Sequence, residues 1–162
     1  MRKVTIILTK YSDLTSNLLY LVSGFGYTHA SIGLEEGEFY SFNFKGFCTE
    51  SLEKFRRHGV KKSLRYELQV PQAAYEKLRE SIESFHSRKE EFSYTAMGVI
   101  LCFLRIPFKW KDHYFCSQFV AEMLEVSGAL ALIKAPSLYL PNHFCSELER
   151  SGLVQSIEYN VV

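Results

Sequence analysis

The sequence lacks any apolar stretch long enough to cross a lipid bilayer, which takes roughly 20 residues. Its most hydrophobic stretch, residues 96–108, is shorter and is interrupted by Arg105 and Pro107. The apolar run near the N-terminus is too short for a signal peptide, and no small-residue cleavage site follows it. These absences predict a cytoplasmic protein with reduced thiols. We expect 96–108 to be a buried helix; contact with a lipid or acyl chain is the alternative interpretation.

An excess of charge of either sign is also absent. The chain carries 19 Lys and Arg residues against 18 Asp and Glu residues, and no basic stripe runs through it. Nucleic-acid binding is therefore not indicated, because it needs a basic surface. A local basic cluster over 54–62 is expected to be a solvated loop. Its alternative interpretation is a contact for an anionic substrate or a membrane surface.

Closely spaced cysteine pairs are the third absence. The four cysteines are Cys48, Cys102, Cys116 and Cys145. Their scatter over the chain argues against a disulfide framework. A zinc site is the alternative, and its ligands would be His113, Cys116, His143 and Cys145. However, no C-x-x-C knuckle is present, and Asn142 is placed to cap a helix that starts at His143. We expect no metal and no other cofactor.

The sequence does contain enough apolar material for one core. Apolar types make up 47% of the residues and aromatic types 15%, so a chain of this length can bury one sizeable core. No repeat, low-complexity tract or linker divides it, and we expect a single domain over 1–162. Hydrophobic periodicity predicts strands over 4–8 and 63–70 and helices over 12–24 and 72–89. The segment 47–60 is expected to be a polar connection with about one helical turn.

A cysteine stands at the predicted start of an amphipathic helix. From Phe115 onwards the apolar residues recur at the three- and four-residue spacing of a helix with one buried face. Cys116 would then lie in the first turn, where unpaired N–H groups and the helix dipole favour a negative charge. A thiol in that position has a lowered pKa, and a neighbouring imidazolium lowers it further. Cys116 is therefore a candidate nucleophile; a small buried hydrophobe is the alternative interpretation.

A histidine stands at the start of a predicted hairpin. Residues 29–33 alternate as a strand, an acidic turn with glycine follows, and 38–44 alternate again. On the return strand Ser41 and Asn43 share a face. Either residue would orient the imidazole of His29, the role of the third member of a catalytic triad. A half-buried histidine bonded to a backbone carbonyl is the alternative interpretation.

Together these segments resemble a known family. The stretch His29-Ala-Ser-Ile-Gly-Leu, followed by an acidic turn, resembles the histidine hairpin of NlpC-like papain-fold proteins. The stretch Cys116-Ser-x-Phe-Val resembles their nucleophile helix. The histidine precedes the cysteine, which is the order of the circularly permuted branch, with its YiiX-like bacterial proteins and its relatives of lecithin:retinol acyltransferase. Residues 136–142 loosely resemble the closing segment of that family.

The resemblance implies an α+β, permuted papain-like fold, in which a small antiparallel sheet packs against the helix bearing the nucleophilic cysteine. It also implies a cysteine hydrolase, an amidase or peptidase, in which Cys116 attacks a carbonyl and His29 is the general base and acid. The expected substrate is a small peptide, amide or acyl compound. Tyr27, Tyr114 and Gln118 are expected to lie beside it.

Two other functions stay open at this stage. A thiol-dependent lipid acyltransferase or esterase would use the same thioester intermediate, and it would need an exposed apolar patch near Cys116. Only the stretch 96–108 offers such a patch. A non-catalytic binding domain on the same scaffold is the second alternative, because a serine at position 41 orients an imidazole weakly. The sequence does not indicate the oligomeric state.

Overall fold

The chain folds as an α+β protein built on one six-stranded antiparallel sheet. The computed structural model describes residues 1–11, 26–35 and 37–162. The strands of the sheet are β1 (Arg2–Lys10), β2 (His29–Gly33), β3 (Phe39–Asn43), β4 (Gly46–Glu50), β5 (Lys62–Val70) and β8 (Val154–Tyr159), in the spatial order β4-β3-β2-β1-β5-β8. Two short strands, β6 (Ser93–Tyr94) and β7 (His113–Tyr114), form a separate parallel pair.

Five α-helices lie in the described part of the chain. They are α1 (Leu52–Arg57), α2 (Gln72–Ser87), α3 (Ala96–Phe103), α4 (Cys116–Val126) and α5 (His143–Arg150). Pro71 separates β5 from α2, because proline has no N–H to donate to a strand ladder yet is accepted at the start of a helix. Leu78 and Ile82 of α2 are buried, one helical turn apart on the face that packs on the sheet.

The sheet buries a different set of residues on each face. Val4, Ile6 and Leu8 of β1 belong to the large core, which they share with side chains of α2, α4 and α5. Ile7 belongs to a separate cluster, since successive strand residues point to opposite faces. That smaller cluster consists of Ile7, Phe39, Phe55 and Val60. The sheet is therefore covered on both sides.

Most predicted elements are confirmed where the structure describes them. The strands over 4–8 and 63–70 lie within β1 and β5, the histidine hairpin is β2 and β3, and the helix predicted over 72–89 is α2. The fold class is confirmed as α+β. The helix predicted over 12–24 lies outside the described residues.

The segment 47–60 is not the polar connection that the sequence predicts. Gly46 adopts a φ of +105°, which only glycine reaches at low cost. The chain reverses there, and β4 pairs antiparallel with β3. The hydroxyl of Ser51 then caps α1 by accepting the N–H of Lys54 at 3.2 Å. A strand thus replaces the first part of the expected connection, whereas the helical turn predicted within it is present as α1.

The stretch 96–108 is also not the buried helix that the sequence predicts. Helix α3 ends at Phe103, and its buried residues are Gly98 and Cys102. Five large apolar side chains of this stretch are instead exposed: Met97, Ile100, Leu104, Ile106 and Phe108. Among the residues that the structure describes, no helix is both long and apolar enough to cross a membrane.

Candidate active site

Cys116 is the first residue of α4, and its side chain is partly accessible to solvent. Phe115 precedes it in an extended conformation and provides no side-chain cap, so the first N–H groups of the helix are left for other partners. The backbone N–H groups of Ser117 and of Ala30 on β2 lie close enough to the sulfur of Cys116 to stabilise a negative charge on it. The sulfur therefore stands at the positive end of a helix dipole with two N–H donors directed at it.

His29 is the first residue of β2 and is only 8% exposed. Its ring lies close enough to the sulfur of Cys116 for the two groups to interact. Its Nε2 lies 2.9 Å and 3.1 Å from the two carboxylate oxygens of Glu50. Because Glu50 occupies Nε2, Nδ1 is the ring nitrogen left to meet the sulfur. The ring of Tyr11 packs edge-on against the imidazole, with 5.3 Å between the centroids.

Glu50 is the last residue of β4 and is 4% exposed. The hydroxyl of Ser31 donates to its Oε2 at 2.5 Å, and that of Tyr11 donates to its Oε1 at 3.4 Å. A buried carboxylate is costly unless it is paired and hydrogen-bonded, and His29 with these two hydroxyls meets that requirement. Cys116, His29 and Glu50 thus form a chain in which each side chain contacts the next.

The charges of Glu50, His29 and Cys116 shift one another's pKa values. Burial raises the pKa of Glu50, but the imidazolium of His29 and the hydroxyl of Ser31 outweigh burial and lower it. Burial lowers the pKa of His29, but Glu50 and the sulfur of Cys116 raise it to about 10. Burial raises the pKa of Cys116, but His29 and two backbone N–H groups bring it below its ordinary value. These shifts favour a thiolate–imidazolium pair over a neutral thiol beside a neutral imidazole.

The pKa values of the other three cysteines are shifted in the opposite direction, upwards. Burial raises the pKa of Cys102 to about 11. Burial also raises the pKa of Cys48, and the nearby carboxylate of Glu50 adds to the effect. The pKa of Cys145 is raised as well, again chiefly by burial. All four thiols are free, and Cys116 is the one whose surroundings stabilise the thiolate.

The sequence prediction for the residue that orients the imidazole of His29, Ser41 or Asn43, is wrong. Ser41 is fully buried, but its hydroxyl donates to the backbone oxygen of Ala30 at 2.7 Å. The Oδ1 of Asn43 accepts a backbone N–H within the β3–β4 turn at 2.8 Å. The ring of His29 is instead held by Glu50. A carboxylate suits this role better, because a charged acceptor binds an imidazolium more strongly than a hydroxyl or an amide does.

Sequence reasoning misses Glu50 because it treats 47–60 as a connection. The signal that would have revealed it is Gly46, which follows the predicted strand closely enough to form a second hairpin turn. The residues after it, Phe47 to Thr49, include the aromatic and β-branched types that are typical of strands. A strand there would bring its last residue, Glu50, to the same sheet as the histidine.

A cavity of about 470 Å³ opens beside the sulfur of Cys116. Its polar lining includes His29, Glu50, Asn43 and Lys54. Its apolar lining includes Val99 and Phe103 of α3 together with Phe42, Phe115 and Leu140. A substrate in this cavity would meet charged groups next to the nucleophile and an apolar wall formed by α3.

Of the three residues expected beside the substrate, Tyr27 lines this cavity. Tyr114 packs among aromatic rings, and its hydroxyl donates to Glu122 at 3.2 Å. Gln118 is 1% exposed and borders a second cavity, which Cys116 does not line. The structure therefore brings only the first of the three to the cavity that contains Cys116.

The backbone next to Tyr27 is tied to the start of α5. The N–H of Tyr27 donates to Oδ1 of Asn142 at 2.7 Å. A Cβ atom at Gly26 would lie 1.9 Å from the same oxygen, so only glycine leaves room for this contact. Asn142 does occupy the N-cap position of α5, as predicted, but its side chain does not cap the helix. It holds the segment that leads into β2.

The alternative zinc site is not assembled. Within 1–11, 26–35 and 37–162, no three His, Cys, Asp or Glu side chains are grouped so that they could hold a metal ion. The ring of His113 stacks on Trp110, with 4.0 Å between the centroids. The Nδ1 of His143 accepts the backbone N–H of Leu140 at 3.0 Å. Each imidazole of the expected set is thus engaged separately.

The site therefore combines a thiol of lowered pKa, a buried imidazole in contact with it and a buried carboxylate on the far side of that imidazole. These three groups come from α4, β2 and β4, which the sheet and the helix packed on it bring together. When the sequence is compared with protein-family models and with curated proteins, neither comparison gives a match.

Proposed function

We propose that this protein is a cysteine hydrolase that cleaves an amide or peptide bond through a thioester intermediate. The observation that carries the proposal is the chain of contacts from Cys116 through His29 to Glu50. It supplies a nucleophile, an acid–base group and an orienting group in one place, beside a cavity that admits a substrate. The lowered pKa of Cys116 increases the fraction of the reactive thiolate at any given pH.

In the first half of the reaction, the thiolate of Cys116 attacks the carbonyl carbon of the substrate. The carbonyl oxygen takes the negative charge, and the backbone N–H of Cys116 stands at the start of α4, where it has no acceptor within the helix. The imidazolium of His29 then gives its Nδ1 proton to the leaving amine as the carbon–nitrogen bond breaks. Glu50 keeps the ring in place and stabilises its positive charge.

In the second half, His29 is neutral and accepts a proton from a water molecule. The resulting hydroxide attacks the thioester carbonyl, and the carbon–sulfur bond breaks to release a carboxylic acid and the thiolate of Cys116. The proton retained on His29 restores the imidazolium. Each turnover therefore consumes one water molecule and returns the site to its starting protonation state.

The order of the elements supports a permuted papain-like architecture. The strand with the histidine comes early in the chain, the helix with the cysteine comes late, and the two meet beside one antiparallel sheet. This is the arrangement that the resemblance to the NlpC-like papain-fold proteins implies. On the basis of this order, we propose that the chain has a permuted papain-like fold. In that fold α4, which begins at Cys116, is the nucleophile helix.

Acyl transfer or ester cleavage on a lipid is the second candidate function. It is favoured by the apolar wall of the cavity, to which Val99 and Phe103 of α3 contribute. The same thioester would form on Cys116, and an alcohol or amine would replace water in the second half. A substrate panel that contains acyl esters as well as peptide amides separates this function from amide hydrolysis.

The thiol chemistry is tested by alkylating the folded protein with iodoacetamide from acidic to alkaline pH and following each cysteine peptide by mass spectrometry. An ordinary thiol titrates at about 8.5, whereas Cys116 should react at a clearly lower pH. Cys145, also partly accessible, is the internal control and should react only at higher pH. If Cys116 titrates like an ordinary thiol, the site is a binding module rather than an enzyme.

Turnover is tested with chromogenic esters and a library of short peptide amides. The Cys116→Ala variant should lose activity to the background, while Cys145→Ala should keep the rate of the unmodified protein. Mass spectrometry of the protein mixed with an activated ester should detect an acyl group on Cys116. Equal activity in the unmodified protein and in Cys116→Ala would overturn the proposed function.

A further inference from the structure

We propose that the protein docks on an anionic lipid bilayer through the exposed side chains of the segment 97–110. Six large apolar side chains in this short segment are between 37% and 62% exposed. They are Met97, Ile100, Leu104, Ile106, Phe108 and Trp110, and we call them the α3 surface. Isolated exposed apolar residues are ordinary, but a concentration within one segment marks an interaction surface.

The charged residues between positions 96 and 111 are all basic. No acidic residue lies between 96 and 111, and the apolar side chains alternate with Arg105, Lys109 and Lys111, all three exposed. Lys109 forms an ion pair with Glu122 at 2.9 Å. Lys134 lies close enough to Arg105 for the two charges to interact. A bilayer with anionic headgroups is complementary to this combination of apolar and basic side chains.

The backbone holds these side chains outward in a defined shape. The N–H of Arg105 donates to the carbonyl of Cys102 at 3.0 Å, and that of Ile106 donates to the carbonyl of Leu101 at 2.9 Å. This is the hydrogen-bond pattern of a Schellman motif, whose left-handed position usually holds glycine. Here that position holds Arg105, with a φ of +58°. A cationic side chain is thus kept where glycine would fit with less strain.

A lipid surface explains this composition better than a second protein does. Protein interfaces concentrate apolar contact in a core that is depleted of lysine, whereas here basic residues interrupt the apolar ones along the loop. Tryptophan and long basic side chains are typical of the boundary between headgroups and acyl chains. The same helix α3 lines the cavity with Val99 and Phe103, so docking would bring that cavity close to the bilayer.

The chain carries its own reporter for the test, because Trp110 is its single tryptophan and belongs to the α3 surface. The protein is mixed with vesicles of phosphatidylcholine, with and without phosphatidylserine. With the anionic vesicles we expect the Trp110 emission to shift to shorter wavelength and to be quenched by brominated lipid. We also expect the protein to sediment with these vesicles. High salt should weaken the binding, because it screens the basic residues from the headgroups.

Substitutions then locate the contact. Ile106→Ser removes apolar area from the α3 surface, and Arg105→Gln removes a charge that is worth about a fivefold change in binding. Both variants should bind anionic vesicles more weakly. Ile157→Ser is the matched control, because Ile157 is an exposed isoleucine on β8, outside the segment. It should bind as the unmodified protein does, and circular dichroism checks that each variant is folded.

The proposal is overturned if anionic vesicles neither shift the Trp110 emission nor sediment the protein. It is also overturned if Ile106→Ser abolishes a concentration-dependent dimer instead, since a second copy of the chain would then cover this surface. The inference does not depend on the thiol chemistry. Cys116→Ala should bind vesicles unchanged, so a failure of docking and a failure of the proposed function are distinguishable.

Discussion

Two regions of this molecule invert the usual distribution of polar and apolar residues. At one end of the sheet, His29, Ser31 and Glu50 are polar and buried. On the α3 surface, apolar side chains are exposed to water. The buried polar groups satisfy one another through hydrogen bonds and opposite charges. The described residues provide no comparable partner for the α3 surface, and the partner that we propose for it is a lipid bilayer.

The two regions differ in how their unusual residues affect folding stability. One region contains buried ionic groups, and the other contains exposed apolar side chains. A buried ionic group is tolerated when its partners are preorganised, and the same preorganisation supports catalysis. An exposed apolar surface costs little folding stability, because it was exposed in the unfolded chain as well. We therefore expect substitutions in the polar site to reduce chemistry strongly, and substitutions on the α3 surface to leave stability and chemistry nearly unchanged.

The largest effect is expected for His29→Gln. Removal of the acid–base group should slow hydrolysis about 1,000-fold, and the thiol of Cys116 should titrate at a higher pH because it loses the imidazolium. Steady-state kinetics with a chromogenic substrate and the iodoacetamide titration measure these two changes. His86→Gln, an exposed histidine on α2, is the control. If His29→Gln keeps the full rate, the polar site is structural.

Glu50→Gln should have the next largest effect, a loss of about 100-fold, because it weakens the acid–base function of His29 without removing the imidazole. The pKa of His29 is raised to about 10, so in the unmodified protein the imidazolium that protonates the leaving group persists until the pH rises through that value. Without the carboxylate, the alkaline limb of the pH–rate profile should move to lower pH. The exposed Glu53 provides the control variant Glu53→Gln. An unchanged alkaline limb would show that Glu50 does not act on His29.

Gly46→Ala should be destabilising, because it disturbs the turn that leads into β4. A Cβ atom there would lie 2.8 Å from the backbone oxygen of Phe92, and the φ of +105° disfavours any other residue. We expect a loss of about 3 kcal/mol in the free energy of unfolding. Gly59→Ala has a positive φ but open space around it, and should cost about 1 kcal/mol. Urea denaturation of both variants measures the difference.

The smallest effect is expected on the α3 surface. Ile100→Ser should change the free energy of unfolding by less than about 0.5 kcal/mol, because the side chain is 53% exposed. Ile82→Ala, in the core beneath α2, should cost about 3 kcal/mol. Thermal and urea denaturation report both values. A large loss for Ile100→Ser would mean that this side chain is packed in solution and would remove the contrast between the two regions.

Local patterns were sufficient to predict much of the fold. The alternation in β1, β2, β3 and β5 is bounded by turn residues or by Pro71, and the helical spacing after Phe115 places Cys116 at a helix start. Each of these signals is contained in a stretch of about ten residues, which is the range over which hydrophobic periodicity can be read. The pairing of Cys116 with His29 was predicted through resemblance rather than through periodicity.

Two of the wrong predictions, for the residue that orients His29 and for the stretch 96–108, have different physical causes. The contact between Glu50 and His29 depends on how β4 pairs with β3, and pairing register is a property of the assembled sheet rather than of either strand. The exposure of α3 was missed because hydrophobicity alone does not say which apolar faces find a partner within the chain. The apolar pattern of such a helix is the same whether its partner is another part of the protein or a separate molecule.

The hydrogen bond between the backbone of Tyr27 and the side chain of Asn142 has a consequence for the order of events during synthesis. The strand that holds the histidine is made early, but the side chain that fixes its entry point is 115 positions further along. Cys116 emerges between them. Because Cys116 also precedes Asn142 in the sequence, the segment that leads into β2 is fixed only after the cysteine has been made.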